Sequence, residues 1–141
     1  MCGIAGFVNL NGRPASATVL QAMTNIIRHR GPDGEGAWVD GPVAIGHRRL
    51  AIIDLSADAS QPRHSADGRF VMSYNGEIYN FKDLRQDLEG RGHVFRSKSD
   101  TEVVLNALAE WGEGAIERFN GMFALALWDR RDRRLLLARD R

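Results

Sequence analysis

Apolar residues recur every three to four positions between residues 18 and 27, the spacing typical of one buried face of an amphipathic helix. Gly31 and Pro32 interrupt this pattern, so the helix is expected to end before them. A second stretch with helical spacing follows Asn80, a residue that caps helices well, and stops at Gly90. The pattern therefore predicts two amphipathic helices separated by a long intervening segment.

A third helix is predicted directly after Ser99. Ser99 and Glu102 have the spacing of a capping box, in which each side chain accepts a hydrogen bond from the other residue's backbone N–H. The apolar residues from 103 to 111 continue at helical spacing. This arrangement places Asp100 at the start of a helix, where a negative charge is favourable.

Short apolar runs bounded by turn residues indicate β-strands in the rest of the chain. The predicted strands cover residues 4–10, 37–39, 43–46, 50–53, 70–74 and 93–95. Residues 122–128 and 135–138 are almost wholly apolar and are joined by a charged segment, which predicts a hairpin. Because the hairpin strands do not alternate, we expect both of their faces to be covered, in an α+β protein with several layers.

The 141 residues suit one domain, and 43% hydrophobic and 26% charged residues are ordinary values for a globular protein. A net charge of +1 from evenly mixed charges gives no footprint for nucleic acid or an anionic membrane. No apolar run approaches the roughly 20 residues needed to cross a bilayer, and no signal sequence is recognisable. We therefore expect a cytoplasmic protein without nucleic-acid or membrane partners.

A single cysteine, Cys2, excludes an internal disulfide framework and a zinc site built on several thiolates. The histidines show neither i, i+4 pairing nor an HExxH pattern, so no metal site is predicted. No spacing supports a protease-like arrangement through His47 or His93. Cys2 is thus either a residue that happens to follow Met1 or a group with a chemical task.

The chemical interpretation of Cys2 depends on Met1. Removal of Met1 would place a free α-amine three bonds from the thiol sulfur, so that one residue holds a nucleophile and a base. An α-amine is far less basic than a lysine side chain and is partly neutral near neutral pH. Such an amine is a recognised activator of N-terminal nucleophiles. Position alone, however, does not distinguish this role from an unremarkable second residue.

Asn75 and Gly76 also have two interpretations. Asn-Gly between apolar runs is the strongest short signal for a hairpin turn, and it would end the strand at Tyr74. Alternatively, an Asn side chain and a glycine N–H at a strand end are two donors suited to the oxyanion that forms when a cysteine attacks an amide.

Arg49 and Asp100 provide a cation and an anion. The ordinary interpretations are a solvated or sheet-edge arginine and a helix-terminal carboxylate. Together, however, they match the α-carboxylate and α-ammonium of a free amino acid. Arg30 and Gly31 belong to a glycine-dense segment that is either a helix stop or a loop folded over a site. That segment matches no phosphate-binding glycine pattern.

Six strings, in this order, closely resemble the N-terminal half of glutamine-dependent asparagine synthetases. They are residues 1–7 (MCGIAGF), 28–34 (RHRGPDG), 46–54 (GHRRLAIID), 74–80 (YNGEIYN), 99–102 (SDTE) and 119–124 (FNGMFA). The resemblance implies a class II glutamine amidotransferase domain with the N-terminal nucleophile hydrolase fold. This is a four-layer αββα sandwich with two antiparallel sheets between helical layers.

The resemblance also implies a role for each matching position. Cys2 would attack the side-chain amide of glutamine and form a γ-glutamyl thioester, which water hydrolyses after ammonia has left. The remaining roles are oxyanion donors (Asn75 and Gly76), the α-carboxylate ligand (Arg49), ligands of the α-ammonium (Asp100 and Glu77), backbone and wall of the glutamine pocket (Leu50, Ile52 and Ile53) and a loop near the nucleophile (Arg30 and Gly31).

In the family this domain is followed by further strands and an ATP-pyrophosphatase domain marked by Ser-Gly-Gly-x-Asp-Ser, a string absent here. We therefore expect a partial, C-terminally truncated amidotransferase domain covering residues 1–141. Its glutaminase step would need no cofactor, while ATP and Mg²⁺ would belong to the missing synthetase domain that receives the ammonia. A homo-oligomer is possible. The alternatives are the glutaminase part of a different class II amidotransferase and a silent interaction module that retains Met1.

Overall fold

The computed structural model describes residues 1–51 and 60–141. Within these ranges the strands are β1 (Gly3–Val8), β2 (Gly34–Asp40), β3 (Val43–Arg49), β4 (Arg63–His64), β5 (Phe70–Ile78), β6 (Gly121–Asp129) and β7 (Arg134–Arg139). The helices are α1 (Ala17–Ile26), α2 (Phe81–Gly90) and α3 (Asp100–Trp111), with 3-10 helices at Arg28–Arg30 and Gly112–Arg118. All three predicted α-helices are confirmed.

The strands form two antiparallel sheets. The first has the order β1-β3-β2 and the second the order β4-β5-β6-β7. In β3 the side chains alternate between two environments: Val43 and Ile45 pack with Trp128 of the second sheet, whereas Arg48 hydrogen-bonds to Thr24 and Asn25 of α1. The two sheets therefore face each other, and α1 covers the outer side of the first.

Helices α2 and α3 cover the outer side of the second sheet through one apolar cluster. Its fully buried members include Met72 on β5, Leu88 on α2 and Leu105 on α3. From one side to the other, the layers are α1, the first sheet, the second sheet, and α2 with α3. The expected α+β four-layer sandwich is confirmed.

Coverage of the predicted hairpin differs between its strands. The β6 residues from Leu125 to Asp129 are buried, as expected for a strand covered on both faces. On β7 the expectation is wrong, because Leu135 and Leu137 are 39% and 68% exposed. Both residues lie opposite β6 residues that face the first sheet, and β7 is an edge strand beyond that sheet's cover.

The hairpin turn proposed for Asn75 and Gly76 is wrong. Strand β5 runs through both residues to Ile78, and Gly76 lies opposite Phe123 of β6. A side-chain carbon at Gly76 would lie 2.6 Å from the Cα of Phe123 and overlap the Met122 carbonyl. Gly76 is thus required by a close approach between two strands rather than by a turn.

Several local predictions also need correction. Residues 93–95 form no strand, and neither do Leu50 and Ala51, while residues 52 and 53 lie outside the described ranges. Ser99 caps α3 by accepting from Thr101 N, but Glu102 accepts from Arg96 N and Ser97 N, so no capping box forms. Asn80 precedes α2 but uses its side chain to bind residues 118 and 120 instead.

None of the helices in the described part of the chain is both long and apolar enough to cross a membrane.

Candidate functional site

A cavity of about 900 Å³ opens where β1, the end of β3, β5 and the start of α3 meet. The predicted site residues that line it are Cys2, Arg30, Arg49, Leu50, Asn75, Gly76, Glu77 and Asp100. Gly31 is not among its lining residues, and Ile52 and Ile53 lie outside the described residues. Residues from five separate parts of the sequence are thus brought to one concave surface.

Cys2 is half-buried at the start of β1. Its sulfur accepts a hydrogen bond from the backbone N of Leu50 at 3.3 Å, and Arg30 Nε donates to the Cys2 carbonyl at 3.1 Å. The residue after Arg49 therefore contacts the Cys2 sulfur through its backbone, and Arg30 fixes the chain beside it.

Gly31 does not line the cavity but packs against the backbone of Arg48 and Arg49, next to the cavity wall. A side-chain carbon at this position would lie 2.6 Å from the backbone N of Arg49 and overlap the Arg48 carbonyl. The segment is held further by two hydrogen bonds of Asp33: its backbone N donates to Arg49 O at 3.0 Å, and its carboxylate accepts from Ala51 N at 2.9 Å. Gly31 thus permits the Arg30 loop to pack tightly on the end of β3.

One edge of β5 carries three residues with backbone groups directed toward the cavity side. Tyr74 uses its N and O to bind the Gln61 side-chain amide, at 2.6 and 2.9 Å, and Ile78 N donates to Asp100 Oδ2 at 3.1 Å. Because backbone groups on alternate residues of an antiparallel strand point to the same edge, Gly76 presents its N–H between these two partners. Gly76 N–H is therefore placed as a donor facing the cavity.

Asn75 lies on the face of β5 that looks toward the first sheet. Ser73, two residues earlier on the same face, hydrogen-bonds across the sheets to His47 Nδ1 at 2.9 Å. Side chains two residues apart on a strand share a face, so Asn75 and Glu77 point toward the layer that carries Cys2. The side chain of Asn75 and the N–H of Gly76 are adjacent donors at the same cavity.

The comparisons with known proteins agree with this geometry. The family model that describes a glutamine amidotransferase domain matches residues 1–141. The chain belongs to the glutamine amidotransferase domain family.

Two relatives of the amidotransferase illustrate its sequence neighbourhood. Glutamine-hydrolyzing asparagine synthetase 3 of Bacillus subtilis (strain 168) is 39% identical over 143 residues, covering 100% of this chain and 23% of that protein. Glutamine-hydrolyzing asparagine synthetase 1 of Arabidopsis thaliana is 36% identical over 141 residues, covering 99% and 24%. The amidotransferase chain thus spans about a quarter of the length of these curated relatives.

Solved structures give the same fold for the amidotransferase. Glutamine phosphoribosylpyrophosphate amidotransferase of B. subtilis has a TM-score of 0.70 at 21% identity, over 99% of this chain and 36% of that chain. A structure described as the allosteric regulatory enzyme of purine biosynthesis has a TM-score of 0.59 at 26% identity, over 72% and 24%. The N-terminal nucleophile hydrolase fold and the resemblance to asparagine synthetases are confirmed, while the roles of single residues stay predictions.

The sequence did not single out two polar residues of the amidotransferase cavity. Gln61 occupies a polar, irregular stretch without any recognisable pattern, yet its amide continues the ladder of β5. Tyr74 has the pattern of a core strand residue, yet its hydroxyl reaches Asp100 at 3.0 Å. Only the contacts identify the roles of these residues, because Gln61 belongs to no motif and Tyr74 stands in the 74–80 string without a polar role assigned to it.

His47 is buried between the two sheets of the amidotransferase, with 1% of its surface exposed. Desolvation, followed by the charge of Arg49, lowers the pKa of His47 from 6.5 to about 4. Within the described residues its Nε2 has no hydrogen-bond partner. The imidazole is therefore neutral at physiological pH and ties the sheets together through Ser73.

This neutral histidine predicts a loss of stability in mild acid. As the pH falls from 6.5 to 4, the unfolded chain binds a proton at His47 while the folded chain does not. The free energy of unfolding therefore falls by about 3 kcal/mol over this range. Below pH 4 His47 is protonated in both states, and it no longer contributes to the pH dependence of the unfolding free energy. Urea unfolding between pH 7 and pH 4 measures the effect.

His47→Asn serves as the control, because asparagine does not titrate in this range while both proteins share all carboxylates. Between pH 6.5 and 4 the unfolding free energy of the variant should fall by about 3 kcal/mol less than that of the native chain. Parallel curves for the two proteins would contradict a neutral buried His47.

Proposed function

We propose that this domain hydrolyses glutamine to glutamate and ammonia with Cys2 as nucleophile. The observation that carries the proposal is the single cavity shared by Cys2, Arg49, Asp100 and the adjacent donors Asn75 and Gly76. Each group matches one part of the reacting glutamine. Cys2 would meet the electrophilic amide, Arg49 the carboxylate and Asp100 the ammonium. Asn75 and Gly76 would meet the developing oxyanion.

Binding of glutamine is proposed to use both charged ends of the molecule. The guanidinium of Arg49 would hold the α-carboxylate, a pairing for which its planar donors are well suited. Asp100 and Glu77 would receive the α-ammonium. The backbone at Leu50 and the loop of Arg30 and Gly31 would form the wall nearest Cys2, and Ile52 and Ile53 are proposed as further wall residues.

The proposed reaction has two halves. The neutral α-amine of Cys2 takes the thiol proton, the sulfur attacks the side-chain carbonyl carbon, and the negative oxygen is held by Asn75 and Gly76. Collapse breaks the C–N bond, and the α-ammonium returns the proton to the nitrogen that leaves as ammonia. A water molecule then attacks the thioester, so that glutamate is released and the thiol is restored.

This mechanism requires removal of Met1. A retained Met1 would acylate the amine of Cys2 and eliminate the base, which would make the domain catalytically silent. No other group is proposed as a base that could replace the α-amine. Intact-mass measurement of the N-terminus therefore accompanies any activity assay.

The ammonia is proposed to pass to a synthetase segment or chain outside the described residues. The asparagine synthetase relatives support aspartate as acceptor, and we propose that ATP and Mg²⁺ serve that second activity only. The glutaminase step itself is proposed to need no cofactor or metal. A cytoplasmic location and a homo-oligomeric state remain predictions.

Glutamate and ammonia release from L-glutamine tests the function directly. With Met1 removed, both products should appear in equal molar amounts. Asparagine is the matched control substrate: it carries the same charged ends but is one methylene shorter, so its amide does not reach Cys2 while both ends are held. Equal turnover of asparagine, or no release from glutamine, would overturn the proposal.

A further inference from the structure

Tyr74 combines a core position with a polar contact at the cavity. Its side chain is 2% exposed and packs in the apolar cluster beneath α2 and α3, but its hydroxyl donates to Asp100 Oδ2 at 3.0 Å. A phenylalanine ring would fill the same space in that cluster. The hydroxyl therefore has a purpose that packing does not explain.

Asp100 is held by two donors on the same oxygen. Besides Tyr74, Ile78 N donates to Oδ2 at 3.1 Å. The nearby helix N–H of Thr101 is already bonded to Ser99 Oγ at 3.1 Å and does not compete for the carboxylate. Among the described residues both donors to Asp100 therefore end on Oδ2, which leaves Oδ1 to accept from a ligand in the cavity.

The proton of this pair stays on the tyrosine. Burial, together with the charge and hydrogen bond of Asp100, raises the pKa of Tyr74 far above its ordinary value. The hydroxyl therefore remains a donor to Asp100 over the whole pH range in which enzymes of this kind operate. Together with Ile78 N, it holds the carboxyl group of Asp100 in one orientation at the cavity.

We propose that Tyr74 is a positioning residue that holds Asp100 with Oδ1 directed at the α-ammonium of glutamine. This inference rests on the proposed function and deepens it, because it assigns selection for α-amino acids to a hydroxyl behind the binding carboxylate. Tyr74 does not touch the substrate in this arrangement. It acts by fixing the rotation of Asp100, so that the ammonium does not have to order the carboxylate when it binds.

Tyr74→Phe in a Cys2→Ala chain isolates the effect in binding without turnover. Titration calorimetry compares L-glutamine with glutaramate, the same molecule without its α-amino group. Loss of a hydrogen bond that orients a carboxylate should weaken glutamine binding about five- to tenfold and glutaramate binding less than about twofold. A merely structural defect would weaken both ligands equally and would overturn the inference, as would failure of the Cys2→Ala chain to bind glutamine.

Two further variants complete the test. Ser73→Ala removes a buried hydroxyl from the neighbouring position of β5 without contact to Asp100, so it should leave the glutamine-to-glutaramate affinity ratio unchanged. Adding Tyr74→Phe to Asp100→Asn should cause no further loss of glutamine binding, whereas additive losses would contradict the proposal. The proposed function fails separately, if the chain with intact Cys2 releases no glutamate.

Discussion

Cys2→Ala is expected to lower the rate of glutamate release from glutamine by a thousandfold or more, on the order of what loss of a catalytic nucleophile costs. The structure places no second thiol in the chain that could replace it, because Cys2 is the only cysteine. Glutamine binding should survive, since Arg49 and Asp100, the proposed ligands of the two charged ends, line other parts of the cavity. Glutamate release measured with enough enzyme to detect the residual rate checks this result.

Cys2→Ser is the matched control for this substitution. It preserves size and the α-amine but replaces the thiol by a much weaker nucleophile, so it should retain glutamine affinity and lose nearly all turnover. A chain with Met1 retained should behave like Cys2→Ala, although its thiol is intact. Wild-type turnover in either the alanine or the Met1-retaining chain would mean that the α-amine and thiol of Cys2 do not act together.

Asn75→Ala is expected to reduce kcat by about 10²- to 10³-fold, the effect of removing one oxyanion donor. KM for glutamine should change little, because a donor aimed at the oxyanion acts mainly in the transition state. Strand β5 should keep its place, since the backbone of Asn75 pairs with Ala124 on β6 whatever the side chain. Steady-state kinetics separates the two parameters.

Asn75→Asp provides a stringent comparison, because it retains the shape of the side chain but puts a negative charge beside the developing oxyanion. It should be at least as damaging to kcat as the alanine variant. A large rise in KM with unchanged kcat in Asn75→Ala would instead place this side chain in ground-state binding and would contradict the assigned role.

Local periodicity was sufficient to predict the helices, whereas the two sheets and most of the cavity were predicted through the family resemblance that the short motifs carry. Periodicity located α1, α2 and α3, and short motifs located Cys2, Arg49, Asn75 and Asp100. Contacts between segments that are distant in the sequence could not be predicted from local patterns. Asn75-Gly76 looks like a turn from its own residues, and only the passage of β6 against Gly76 shows that the strand continues.

Polar contacts between distant segments were missed for the same reason. Glu102 has the spacing of a capping box, but the chain at Arg96 and Ser97 passes within hydrogen-bond distance and claims its carboxylate. The Gln61 amide meets Tyr74 from a segment with no pattern at all. A local rule fails where a tertiary neighbour offers a better partner, and such neighbours are invisible in one sequence.

Cys2 precedes the first strand of one sheet, whereas Asn75 and Gly76 belong to the other. The distance between Cys2 and the Asn75-Gly76 pair is therefore set by the side chains packed between the two sheets, among them Ile45 and Trp128. Stacked sheets lie about 10 Å apart, and a change of one methylene group in such a core is felt by its neighbours. Core residues outside the cavity thus determine how far Cys2 lies from the proposed oxyanion donors.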